Sequence, residues 1–179
     1  MPGNHLKRIF FALWPDDLTR EAISYVFNQS IYSGSSGRTS CSANLHLTLH
    51  FLGGLTPVQL DCALQQAATV DATAFELSLD NFACFEKPKI LWLGTSAVPD
   101  HLTDLHAKLA SALGVCDVPL ESRTYQPHVT LMRKFKGFRM SEVSQEVLWK
   151  VKQFALVESV STKNGVEYRP LKFYPLRPW

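Results

Sequence analysis

The 179-residue chain has no Cys-x-x-Cys pair: Cys41, Cys62, Cys84 and Cys116 are nowhere closer than 21 residues. That spacing excludes the common zinc and dithiol redox motifs. Scattered cysteines in a chain long enough to build its own core are expected to be reduced and mostly buried, and the expected compartment is the cytoplasm. Charge is scarce: 18 Lys and Arg stand against 16 Asp and Glu, a net charge of +2. Such a chain is no general polyanion binder, so any contact with nucleic acid has to be local. Long apolar runs are also missing. The run Ile9 to Trp14 meets Pro15 and Asp16 at once. It is too short to span a bilayer and reads as a buried first strand, with no leader and no membrane contact expected. Neither GxxxxGK[ST] nor GxGxxG occurs, which removes the usual phosphate-cradling loops.

What is present is a mixture of helical and strand patterns. Arg8 to Leu13 reads as a strand and Asp16 to Gln29 as a helix with early acids. Ser33 to Ser42 is rich in Gly and Ser and reads as a loop. Asn44 to Leu52 alternates, with Leu45, Leu47, Leu49 and Phe51 on one face and His46, Thr48 and His50 on the other. Thr56-Pro57-Val58-Gln59 makes a capping box that opens a second helix. Phe75 to Leu79 and Lys89 to Gly94 read as strands, and Pro99 to Leu113 as an amphipathic helix stopped by Gly114. His128 to Met132, Trp149 to Ser161 and Val166 to Phe173 follow as strands, the last two joined through the hairpin signal Asn164-Gly165. The order β-α-β-α-β-β-α-β-β-β predicts one α+β domain over residues 1–179 with largely antiparallel sheet.

One short echo carries chemistry. His46-Leu47-Thr48-Leu49 and His128-Val129-Thr130-Leu131 share the pattern His-apolar-Thr-apolar, 82 residues apart. On a strand, residues i and i+2 share a face about 6.6–7 Å apart, so each unit presents an imidazole beside a hydroxyl while its apolar residues anchor the core. Phosphoryl transfer needs a base for the incoming oxygen, an acid for the leaving oxygen and donors for the non-bridging oxygens. Attack and departure are in line, so acid and base must flank phosphorus. Two histidines from two strands can meet that demand. His46 and His50 on one strand, roughly 13 Å apart, cannot. Histidine, with an ordinary pKa of about 6.5, can be neutral on one ring and protonated on the other near pH 7. A third match, His101-Leu102-Thr103, falls in a predicted helix, where i and i+2 diverge, and is set aside.

At these residues the chain resembles the two-histidine phosphoesterase superfamily, and within it the RNA 2',3'-cyclic phosphodiesterases, also called 2'-5' RNA ligases. The resemblance extends through Arg8-Ile9-Phe10-Phe11-Ala12-Leu13, Asn44 to Gly53, Leu91-Trp92-Leu93-Gly94, Pro127 to Arg133, and the ending Glu158-Ser159, Tyr168 and Leu171. It implies a bilobal α+β fold, two pseudo-symmetric lobes around a central groove, each offering one motif. It implies metal-independent hydrolysis of an RNA or nucleotide 2',3'-cyclic phosphate to a 2'-phosphate, with 2'-5' ligation as related chemistry. By resemblance, His46 is the acid for the 3' oxygen and His128 the base for water. Thr48, Thr130 and Arg133 bind the phosphate, and Phe51 lies near the nucleoside. No cofactor and no metal are implied, and a monomer is expected.

Strict alternation puts Phe51 and Arg133 on the faces opposite their histidines. Their implied roles therefore require a bulge near Leu49–Phe51 and another near Leu131–Arg133. Plainer readings stand beside these. The two histidines could be half-buried strand residues, the two threonines simple β-formers, Phe51 a core residue, and Arg133-Lys134-Phe135-Lys136 a solvated edge. Tyr125 and Tyr168 read as structural, His5, His101 and His106 as surface residues, and Trp14, Trp92 and Trp149 as core. A zinc hydrolase is disfavoured because His46-x-x-x-His50 lacks the Glu of HExxH and lies in a strand pattern. A non-catalytic RNA- or nucleotide-binding module is the stronger rival. The same chemistry on 2',5'-oligonucleotides or ADP-ribose cyclic phosphate is another.

Overall fold

The computed structural model describes residues 6–31, 33–137, 143, 145–163 and 165–179. The expectation for His5 lies outside them, as does the Asn164 half of the hairpin signal. The fold is α+β with mostly antiparallel sheet. In chain order the elements are β1 (Lys7–Leu13), α1 (Asp17–Ser30), β2 (Ser36–Thr39), a 3-10 turn (Ser42–Asn44), β3 (Leu47–Leu55), α2 (Pro57–Ala67), β4 (Phe75–Leu79), β5 (Asn81–Phe85), β6 (Ile90–Gly94), α3 (Asp100–Leu113), β7 (His128–Lys136), β8 (Val147–Val151), β9 (Gln153–Thr162) and β10 (Gly165–Pro175).

The large sheet is two half-sheets joined at a seam. One half runs β10-β9-β1-β3. The other runs β7-β6-β5, with β2 added to β7. Across the seam β3 and β7 pair only at Leu47 and Val129. Beyond that point β2 takes over as the partner of β7, from Thr39–Met132 to Ser36–Lys136. A single pairing lets the two halves splay, so the inner strands β3 and β7 flank an open face. The opposite face is the core. There Ile9, Phe11, Leu13, Leu47, Leu49, Leu93 and Val129 meet α1 through Ile23, Val26 and Phe27, and α3 through Leu102, Leu105 and Leu109. Each such side chain removed from water contributes about 1.5–3 kcal/mol.

The helix starts obey local chemistry. Asp16 caps α1, its Oδ1 accepting from Thr19 N–H at 2.8 Å. Thr56 and Gln59 close the expected capping box of α2, with Pro57 at the start.

Three expectations about the elements need correction, and one strand had no signal in the sequence. The Ser/Gly segment holds the strand β2, because its backbone groups find a ladder on β7. The stretch from Trp149 to Ser161 is split at Lys152 into β8 and β9, since β8 leaves the large sheet to pair with β4. Asn81–Phe85 is a strand with no alternation of its own, held by β6. His46 sits one residue before β3 rather than within it, because the 3-10 turn occupies Ser42–Asn44.

The cysteines also depart from expectation. Cys62 on α2 and Cys116 just past α3 form a disulfide with their Cα atoms 5.6 Å apart, while Cys41 and Cys84 are free and exposed. The physical reason is the packing of α2 against α3, which brings two sequence-distant residues together. Gln59 Nε2 donates to Asp117 O at 2.6 Å across the same junction.

Candidate active site

Both expected bulges are present. Between β1 and β3 the register slips twice: Gly53 faces Ile9 but Phe51 faces Phe10, and His50 faces Phe11 but Thr48 faces Ala12. Leu49 and Leu52 are therefore the extra residues. Each slip exchanges the faces that follow. His50 consequently turns into the core, 4% exposed, and Phe51 turns out to the open face, 38% exposed. On β7 the slip falls at Leu131, between the pairs Leu91–Met132 and Trp92–Thr130. Met132 is buried at 5% and Arg133 swings to the open side. The Leu131 carbonyl freed by the bulge accepts from Ser40 N–H at 2.8 Å.

The register at the seam fixes the centre. With Leu47 opposite Val129, antiparallel geometry sets His46 across from Thr130 and Thr48 across from His128, all four on the open face. The histidines occupy one diagonal of this square and the threonines the other. Opposed side chains lie about 5 Å apart and same-strand neighbours about 7 Å, so the imidazoles stand on the order of 8 Å apart or more. A phosphate fits between them.

The two rings are held alike. His46 Nδ1 lies 2.7 Å from Asn44 O and His128 Nδ1 lies 2.7 Å from Gln126 O. A carbonyl only accepts, so each Nδ1 carries the hydrogen. Each Nε2 is left to take or give a proton on the open face. Aromatic rings wall them in. Phe10, Trp14 and Tyr168 surround His46 at 4.8, 6.0 and 4.9 Å between centroids. Phe85 and Trp92 flank His128 at 5.0 and 5.7 Å. Burial is the main cause that pushes His46 down to about 4. The Asn44 hydrogen bond opposes it, and the charges of Arg133, His128 and Arg20 add to it. Burial, then Arg133, lowers His128 as well, against its bond to Gln126. The influence of Arg133 on both imidazoles reflects its position on their face.

Several residues of this arrangement were not singled out from sequence. Arg20, 8% exposed on α1, donates from Nη1 to Ser42 O and Leu45 O at 2.7 and 3.0 Å, and covers the Trp14 ring at 4.8 Å. It pins the approach to His46. Asn44 ties the same approach to β10, its Nδ2 donating to Val166 O and its Oδ1 accepting from Tyr168 N–H. An arginine on the buried stripe of a helix was the one available signal for Arg20. Trp14, expected in the core, instead stacks on His46 at an interplanar angle of 18°. Trp92 and Trp149 are buried as expected.

His50 and His106 also need correction. His50 was placed on the His46 face and His106 on the surface. The Leu49 bulge sends His50 inward, where it stacks on His106 at 4.0 Å, and His106 stacks on Tyr125 at 3.9 Å. Tyr125 donates its hydroxyl to Thr48 O. The column braces the bulge from beneath and stands apart from the open face. Among the described residues no group of three or more His, Cys, Asp or Glu is arranged to hold a metal ion.

Comparison with known proteins gives a family and several relatives. The model of the 2'-5' RNA ligase superfamily matches residues 36–161, a span holding both His-x-Thr units and their bulges. The RNA 2',3'-cyclic phosphodiesterase of Escherichia coli K12 is 28% identical over 95% of this chain and 97% of its own. The RNA 2',3'-cyclic phosphodiesterase of Archaeoglobus fulgidus is 25% identical over 93% of this chain and 99% of its own. The crystal structure of Escherichia coli LigT complexed with 3'-AMP superposes with a TM-score of 0.88 at 27% identity, covering 96% of this chain and 98% of that one.

Proposed function

The chain belongs to the 2'-5' RNA ligase superfamily, and on that premise we propose that it hydrolyses RNA or nucleotide 2',3'-cyclic phosphate ends to 2'-phosphates by general acid–base catalysis without a metal. The observation that carries this reading is the matched pair of imidazoles, each fixed through Nδ1 to a backbone carbonyl, on one diagonal of a square whose other corners are hydroxyls. His128 Nε2 takes a proton from water as the water oxygen bonds to phosphorus. The bond from phosphorus to the 3' oxygen breaks, and protonated His46 gives its proton to that oxygen. Thr48 and Thr130 donate to the non-bridging oxygens, and Arg133 balances their charge. Phe51 meets the nucleoside. With an RNA 5'-hydroxyl in place of water, the same displacement makes a 2'-5' junction. We place this activity in a monomeric single domain over residues 1–179, working in the cytoplasm. No helix among the described residues is long and apolar enough to cross a membrane.

The test is to give a short RNA ending in a 2',3'-cyclic phosphate to the protein in EDTA and identify the new end. The expected product is a 2'-phosphate. Binding without turnover would support the binding-module reading instead, and a 3'-phosphate product would mean that the 2' oxygen leaves.

The electrostatics set a pH dependence. The productive free enzyme carries one proton on the pair. His46 near 4 and His128 below 6.5 lose their protons on the acid side of neutrality. Thus kcat/KM is expected to peak below pH 6.5 and then fall by about tenfold per pH unit, in a bell belonging to the coupled pair. A bound phosphate anion favours both imidazolium forms, so the kcat optimum lies at higher pH. A kcat/KM that stays flat from pH 6.5 to 8 would contradict this electrostatic account.

A further inference from the structure

The strand β2 brings a second arginine to the open face. Gly37 makes this possible. Its φ is +151°, and a Cβ there would stand 2.8 Å from Met132 Sδ and 2.9 Å from Arg133 O. Only glycine lets β2 approach β7 so closely. The next residue, Arg38, pairs directly with Arg133, and residues directly opposed across a ladder share a face. Like charges so placed repel. Among the described residues neither guanidinium takes part in an ion pair. Two unbalanced guanidiniums side by side form a receptor for phosphate oxygens. The reaction above uses Arg133 and leaves Arg38 without a role.

We propose that Arg38 binds the phosphodiester joining the terminal nucleotide to the rest of an RNA chain, so that the site selects RNA ends over mononucleotides. This deepens the cyclic phosphodiesterase reading and rests on it. The direction follows from the register. From the central square, β3 carries Phe51 toward one end of the open face, where Arg8 lies over its ring at 5.6 Å. Antiparallel β7 carries Arg133, and beside it Arg38, toward the other end, which is also the His46 end. In a nucleotide the base leaves the ribose next to C2' and the 5'-phosphodiester leaves next to C3', so the two diverge. With the 3' oxygen toward His46, the base points to Phe51 and the 5'-phosphodiester to Arg38.

The experiment compares ApA ending in a 2',3'-cyclic phosphate with adenosine 2',3'-cyclic phosphate, each across a salt series, for wild type, Arg38→Gln and Arg38→Lys. In wild type, log KM for the dinucleotide is expected to depend more steeply on log salt than that for the mononucleotide, by about 0.7 for the extra phosphate contact. In Arg38→Gln that excess disappears, and the ratio of kcat/KM between dinucleotide and mononucleotide falls by roughly tenfold. Arg38→Lys, which keeps the charge, is expected to keep most of the salt excess. Equal slopes in wild type would overturn the inference whatever the variants do. So would an unchanged ratio in Arg38→Gln. Turnover of neither substrate by wild type would overturn the cyclic phosphodiesterase reading itself, and the role of Arg38 with it.

Discussion

His46→Ala and His128→Ala are each expected to lower kcat on a 2',3'-cyclic phosphate end by about 10³-fold, within the range that a positioned acid or base contributes. Each ring has one fixed nitrogen and one free, so alanine removes the proton carrier without removing a backbone group. The aromatic neighbours remain, and circular dichroism should report a folded chain. Because the two histidines act in one displacement, their effects are not additive. The double variant should fall less than about tenfold below the worse single one. Losses that multiply would show two independent contributions and contradict the concerted pair. A loss of less than tenfold in either single variant would remove that residue from the chemistry.

The second large effect is on stability. The Cys62–Cys116 bond closes a sequence separation of 54 residues. Cross-linking a loop of that length removes unfolded-chain entropy worth about 4 kcal/mol. Cys62→Ala with Cys116→Ala is therefore expected to lower Tm by about 8–16 °C for a chain of this size. Measurement by thermal denaturation with and without reductant should show the wild type falling toward the variant only when reduced. Equal Tm values under non-reducing conditions would mean that the bond adds nothing.

Much of the site was legible because strand chemistry has a period of two. Two His-x-Thr units interleaved with apolar residues could point their polar pairs only to one face, and the core took the rest. Even the bulges could be read, as the price of putting Phe51 and Arg133 beside the histidines. What stayed hidden depends on pairing partners rather than on local pattern. Gly37 and Arg38 form a strand only because β7 offers an edge that β3 abandons after one pairing. His50 looked like a groove residue until the bulge at Leu49 reversed it. Cys62 and Cys116 meet because two helices pack, and their spacing carries no sign of it. Arg20 and Asn44 act on His46 through backbone carbonyls, which have no sequence signature of their own.

The central claim is that two imidazoles on one open face open a cyclic phosphate without metal assistance. Phosphorus NMR of an RNA ending in a 2',3'-cyclic phosphate, followed in EDTA with wild type, His46→Ala and His128→Ala, tests it most directly. The account predicts that the cyclic-phosphate resonance converts to that of a 2'-monoester with wild type and, over the time in which wild type completes the conversion, persists with both variants. Conversion that stops on adding EDTA, or that in either variant runs within tenfold of the wild-type rate, would contradict it.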